Sequence, residues 1–223
     1  MLTVNKKGLL IVVSGPSGAG KDTICQNLLK STKDAWLSIS MTTRKPRPQE
    51  KNEVDYYFVS KEEFEKRIND HIFLEYAMYN DNYYGTPKDK VEEHLNKGID
   101  VILVIDIKGA INIKKLVPSA LFIFIMPPDM RTLKNRLINR KTENKEKVIN
   151  RFKTAYNEIN NYKKYNYVVV NDNIEDCTLK VKSIITAENC RVDRIEDIAL
   201  GNQEELIHEI LIDKNFSNED IRL

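Results

Sequence analysis

The chain has 223 residues, 41% hydrophobic and 30% charged, enough apolar content for one substantial packed core and enough charge to keep it in solution. No apolar run reaches the roughly 18–20 residues of a membrane-spanning helix, and residues 1–7 carry no cleavable leader pattern, so a cytoplasmic protein with no membrane or nucleic-acid partner is expected. Three scattered cysteines (Cys25, Cys177, Cys190) and three isolated histidines (His71, His94, His208) have no metal-ligand spacing and suit a reducing compartment.

The net charge of +2 is unevenly spread. Between Arg191 and Leu223 nine acidic residues face four basic ones, a local charge of −5 that leaves +7 for the rest. A basic body suits anionic ligands.

The first element is the apolar run Leu9–Val13, read as a strand buried on both faces. A glycine-rich turn follows, then a helical pattern over Lys21–Lys30. A long segment of different character, about residues 38–97, carries most of the tyrosines. It holds β-like pieces (Tyr56–Val59, Phe73–Met78) and helical stretches (Lys61–Asn69, Lys88–Lys97), and its length marks an inserted subdomain. Strands Val101–Ile105, Leu121–Ile125 and Tyr167–Val170 then alternate with helices Lys108–Leu116, Asp129–Asn139 and Ile174–Glu188. This alternation predicts an α/β core whose parallel sheet is flanked by helices. The polar stretch Arg140–Lys147 reads as a mobile lid, about residues 138–150. Residues 1–190 form the domain, and 191–223 an acidic tail with an apolar stripe (Leu206, Ile207, Ile210, Leu211) if Gln203–Ile212 is helical.

The turn after the first strand is Gly15-Pro16-Ser17-Gly18-Ala19-Gly20-Lys21-Asp22-Thr23. Its spacing, Gly15–x4–Gly20–Lys21 between strand and helix, is that of the P-loop, whose backbone N–H groups surround the phosphates of a nucleoside triphosphate. Lys21 supplies a point charge for the outer phosphates. The next residue is usually Ser or Thr, whose hydroxyl meets Mg²⁺; here it is Asp22. The carboxylate either ligates the metal, directly or through water, or merely favours the helix N-terminus. Thr23 is an alternative hydroxyl.

Arg44 and Arg47, three residues apart around Pro46, and the tyrosines downstream have the chemistry to grip one phosphate. The runs Ser40-Met41-Thr42-Thr43-Arg44-Lys45-Pro46-Arg47, Asp55-Tyr56-Tyr57-Phe58-Val59 and Asn82-Tyr83-Tyr84-Gly85-Thr86 closely resemble the guanylate kinase family, and the likeness extends from about Lys7 to Arg191.

The resemblance implies Mg²⁺-dependent transfer of the ATP γ-phosphoryl group to GMP or dGMP. It places Arg44, Arg47, Tyr56 and Tyr84 at the GMP phosphate, Ser40, Glu75 and Thr86 at the guanine, and Asp106 near metal and phosphates. It makes Arg136, Arg140 and Arg151 the lid arginines and puts Asn171 and Asp172 on the adenine side. Glu75 also makes sense independently: guanine N1–H and its 2-amino group offer paired donors to a carboxylate, and adenine does not. Two departures stand out. Val104 replaces an acidic residue usual in the family, and Lys141 replaces a glycine in the lid. A negative charge lost at 104 and gained at 22 suggests compensation. The rival readings are a non-catalytic guanylate-kinase-like binding module and a kinase for another monophosphate. Oligomeric state is open.

Overall fold

The computed structural model describes residues 3–5, 7–32, 34–79, 81–138, 145–195 and 197–199. Arg140 with the rest of residues 139–144 of the lid segment, and the 203–212 stripe, lie outside them. In chain order the elements are β1 (Thr3–Asn5), β2 (Leu10–Ser14), α1 (Lys21–Ser31), β3 (Ala35–Leu37), β4 (Met41–Thr42), β5 (Tyr57–Phe58), α2 (Lys61–Asn69), β6 (Phe73–Tyr79) and β7 (Asn82–Pro87). There follow α3 (Lys88–Asn96), β8 (Asp100–Val104), α4 (Ile107–Leu116), β9 (Leu121–Met126), α5 (Met130–Ile138), α6 (Lys145–Ile159), β10 (Tyr167–Val170), α7 (Ile174–Asn189) and β11 (Asp197–Ala199).

Five strands make an all-parallel sheet in the order β10-β9-β2-β8-β3. Both faces of β2 are covered because its side chains alternate. Ile11 and Val13 join Ile24, Leu28, Ile123, Ile125 and Val181 beneath α1 and α7. Leu10 and Val12 join Val91, Leu103, Ala110, Ile113 and Phe122 beneath α3 and α4. The chain leaves β2 towards β3 and β8 on one side and later reaches β9 on the other, so β2 is the switch point at which α/β sheets open a crevice beyond their strand ends. Functional residues cluster there.

A second sheet, β5-β4-β7-β6, is built from the segment between β3 and α3. Its β4–β7 and β6–β7 pairs are antiparallel and its β4–β5 pair is parallel. α2 begins on an N-cap in which Ser60 Oγ accepts the Glu63 N–H at 3.1 Å. The helix read over Lys88–Lys97 packs differently from the rest of that segment. Val91 and Leu95 belong to the core under the parallel sheet, and His94 stacks on Trp36 with ring centroids 4.0 Å apart. Several pieces have no counterpart in the sequence reading: edge strand β3, only three half-buried residues long, strands β4 and β7 of the second sheet, the range of α6, and the pair β1–β11.

The carboxylate of Asp100 locks this frame. It is 6% exposed, and it accepts the Leu9 N–H at 2.8 Å and Asn189 Nδ2–H at 2.6 Å, joining β8 to α7 and to the residue that leads into β2. Asp100→Ala strands both donors and is expected to cost about 2–3 kcal/mol, read as a lowered urea midpoint with an unchanged m-value.

Candidate active site

The turn from β2 into α1 is wound too tightly for side chains. Gly15 has φ +144°, and a Cβ there would sit 2.2 Å from the Ile125 carbonyl oxygen; Gly20 has φ +92°, and a Cβ would meet Asn171 Nδ2 at 2.4 Å. Only glycine takes such positions without strain. Lys21 folds back so that Nζ donates to the carbonyls of Gly15 at 2.7 Å and Pro16 at 3.2 Å. Asn171, 1% exposed, lies beneath the loop and donates from Nδ2 to the Ala19 carbonyl at 2.7 Å. Arg136 on α5 donates to the Asn171 carbonyl at 3.0 Å and to the loop carbonyl of Ala19 at 3.5 Å, and Arg151 on α6 donates to Ser17 Oγ. Both described lid arginines thus converge on the loop.

Facing the loop across a cleft of about 200 Å³ is the second sheet. Gly15, Ser17, Lys21, Asp22, Val104 and Asp106 line one side, and Ser40, Tyr56, Glu75, Tyr79 and Tyr84 the other. Strand pairing places Glu75 of β6 beside Thr86 of β7, and Thr86 Oγ1 donates to Glu75 Oε1 at 2.9 Å. The second carboxylate oxygen abuts Gly109, where any Cβ would meet it at 3.0 Å. Burial, opposed by the Thr86 hydrogen bond and reinforced by Asp106, pushes the Glu75 pKa up to about 7. Asp106 also caps α4, accepting the Gly109 N–H at 2.7 Å.

Arg44 is gripped from three sides. Its guanidinium makes a two-pronged bond to Glu50, at 2.8 and 2.9 Å, and stands over the rings of Tyr56 and Phe58, 5.2 and 5.6 Å from their centroids. The backbone beneath it is stitched to β7: Thr42 Oγ1 donates to the Tyr83 carbonyl at 2.9 Å and accepts the Arg44 N–H at 3.2 Å. Glu50 also accepts the Arg47 N–H at 2.8 Å. Burial alone would raise its pKa, but the bonds from Arg44 and Arg47 outweigh it and hold the carboxyl below the usual range. Burial, then the carboxylate of Asp22, raises the pKa of Tyr56.

Gly15, Ser17, Lys21, Asp22, Ser40, Tyr56, Glu75, Tyr84 and Asp106, all singled out in the sequence, meet at one cleft. Thr23 and Asp172 are exposed and outside its lining, Arg47 is more than half exposed, and Asn171 supports the loop from below. Glu50, Tyr79 and Glu158 join the site without having been singled out. For Glu50 a signal was available: a carboxylate three residues after Arg47, in the same short loop as both arginines.

Comparison with known proteins settles the class. The family model for guanylate kinase matches residues 7–188. The chain belongs to the guanylate kinase family. It is 56% identical over 208 residues to the guanylate kinase of Clostridium tetani, covering 93% of this chain and 100% of that one. Against the guanylate kinase of Caldanaerobacter subterraneus subsp. tengcongensis the identity is 51%, covering 92% and 100%. The crystal structure of guanylate kinase from Anaplasma phagocytophilum superimposes with a TM-score of 0.74 at 31% identity, covering 93% of this chain and 97% of that one. Within this guanylate kinase fold, Asp22 and Val104 line the same cleft.

The raised pKa of Glu75 has a consequence for stability. Above about pH 4.5 the unfolded chain carries Glu75 ionised, whereas the fold keeps it protonated up to about pH 7. Folding takes up a proton in that window, so stability declines from about pH 4.5 to 7 and then levels off. Relative to Glu75→Gln, the wild type should lose about 3 kcal/mol across it. Parallel urea-unfolding profiles for the two proteins would contradict this.

Proposed function

We propose that the protein transfers the γ-phosphoryl group of ATP to GMP or dGMP, giving ADP and GDP, in the cytoplasm. One observation carries the reading: the glycine-rich loop with Lys21 and the buried Glu75–Thr86 pair lie on opposite sides of one cleft. The first holds a triphosphate and the second reads guanine.

Phosphoryl transfer needs alignment, charge neutralisation and exclusion of water more than covalent help. Residues 15–21 hold the donor phosphates with backbone amides and Lys21. Arg44 and Arg47, with Tyr56 and Tyr84, hold the acceptor phosphate, and Glu50 and the aromatic rings fix the plane of the Arg44 fork for two-point contact. Arg136 and Arg151, already bonded to the loop, stabilise charge on the transferring group, joined by Arg140. Ionised Glu75 accepts from N1–H and the 2-amino group of guanine, with Ser40 and Thr86 beside it. No general base is needed, because the acceptor phosphate is already ionised near neutral pH.

Among the described residues no three acidic, cysteine or histidine groups come close enough to hold a metal by themselves. Mg²⁺ takes oxygen ligands and relies on substrate phosphates plus one or two carboxylates, and that fits Asp22 and Asp106 on the cleft wall. Bound there, the ion would neutralise charge on the donor phosphates. Thr23 lies outside the cleft lining and is a poorer candidate. A cytoplasmic setting suits three free thiols, Cys25, Cys177 and Cys190. Among the described residues no helix is long and apolar enough to cross a membrane.

An intact phosphate loop favours catalysis over a purely binding role. In a coupled ADP-release assay GMP and dGMP should support turnover, with GMP favoured over AMP by about 10⁴ in kcat/KM. Lys21→Met and Arg44→Met should each lower kcat by at least about 100-fold with the circular dichroism of the wild type. ADP release independent of GMP, or wild-type turnover in either variant, would refute the reading.

A further inference from the structure

Strand β6 presents three residues to the cleft. Side chains alternate along a strand, so Glu75, Ala77 and Tyr79 line the cleft, while Tyr76 and Met78 between them are exposed. β7 runs antiparallel beside β6, and its register makes three successive rungs: Glu75 with Thr86, Ala77 with Tyr84, and Tyr79 with Asn82. Each rung lies two residues, about 7 Å, from the next.

The first two rungs already have roles in the proposed reaction. Glu75 and Thr86 take the guanine. Tyr84, edge-on to Tyr56 with ring centroids 6.2 Å apart, belongs with Arg44 to the group that holds the acceptor phosphate. The acceptor therefore runs along the strands from the first rung to the second, and a monophosphate ends there. Tyr79 stands one rung further on the same face, its ring edge-on to Tyr84 at 6.5 Å. The same cleft is lined by Gly15, Ser17 and Lys21 of the phosphate loop. Beyond the last atom of the acceptor, the group that can meet Tyr79 is the one that the donor brings. The ring is half-buried. Burial, then the charge of Glu158, raises its pKa above the ordinary value, so the phenol keeps its proton through the neutral range and can donate it in a hydrogen bond. A fixed donor suits a phosphoryl group whose charge is spread over three equatorial oxygens in transit.

We propose that Tyr79 is a further catalytic residue: its phenol donates a hydrogen bond to a non-bridging oxygen of the phosphoryl group in transit. The proposal rests on the reading that Glu75 takes the guanine and that Arg44 and Tyr84 take the acceptor phosphate. In the step itself the bond from the γ-phosphorus to the β,γ-bridging oxygen breaks as a bond to an acceptor-phosphate oxygen forms. The electron pair of the broken bond leaves with ADP, and Tyr79 keeps its proton throughout. Such a contact exists only when both nucleotides are in place, so it lowers the barrier without adding to the affinity for either one.

The test compares the wild type with Tyr79→Phe, in which the ring and its contact with Tyr84 remain and only the hydroxyl is lost. The expected result is a kcat about tenfold lower, with KM for GMP and for ATP each changed by less than about twofold. In calorimetric titrations with Mg²⁺ present, GMP should bind both proteins within about twofold. A bisubstrate ligand, guanosine and adenosine joined through five phosphates, should bind Tyr79→Phe at least about fivefold more weakly. A ring that served packing alone would leave kcat and bisubstrate affinity at wild-type values in this variant, and that result overturns the proposal. Equal weakening of GMP and of the bisubstrate ligand also overturns it, because the hydroxyl would then belong to the acceptor site. A wild type that binds no GMP overturns the acceptor-site reading, and the proposal with it.

Discussion

The tight turn from β2 into α1 is the constraint on which the rest of the molecule depends. At Gly15 the backbone passes so close to the Ile125 carbonyl that no side chain fits, and at Gly20 it passes equally close to Asn171. The loop is therefore pressed between strand ends and an amide beneath, and its course is set by the parallel sheet. Every other group in the site is placed relative to it. Arg136 and Arg151 bond to it, α5 leans on it at Gly18 through Leu133 and Leu137, and the second sheet faces it across the cleft.

A cleft built to hold two anionic nucleotides must also exist without them, and its charges then need partners. Glu50 engages Arg44 by both prongs and Arg47 through its amide, while Lys21 donates to the loop's own carbonyls at Gly15 and Pro16. The same economy raises the Glu75 pKa to about 7, because ionisation in a buried pocket, with Asp106 nearby, is unfavourable. Two guanine donors reverse that balance by supplying the hydrogen bonds that an ionised carboxylate lacks. Charge in this site is exchanged between side chains and substrates rather than left unpaired.

Much of this was legible in the sequence because the signals were local. The phosphate loop is a contiguous spacing between a buried strand and a helix, and β2, β8 and β9 announce themselves as apolar runs buried on both faces; Tyr167–Val170 reads the same way in sequence but forms the edge strand β10, where Tyr167, Val168 and Val170 are exposed. Edge strand β3 could not be read the same way: Ala35, Trp36 and Leu37 are half-buried, too few to show a period. The packing of α3 on the parallel sheet was also hidden, since nothing in residues 88–97 states which sheet Val91 will face. Glu158 was invisible for a different reason. It lies over 130 residues from Ser17 along the chain, and only the packing of α6 against α5 brings both to one cleft. Asn171, read as a ligand contact by resemblance, is spent on supporting the loop, a role that depends on a single long-range hydrogen bond to Ala19.

The account requires two nucleotide sites that are filled together, one at the loop and one at the arginine–glutamate–tyrosine wall. The most direct measurement is a titration of GMP-saturated protein with an ATP analogue whose γ-phosphoryl cannot be transferred. A one-to-one binding event that leaves GMP in place is the expected result. Displacement of GMP by the analogue would mean that both nucleotides compete for one site, and would contradict the account.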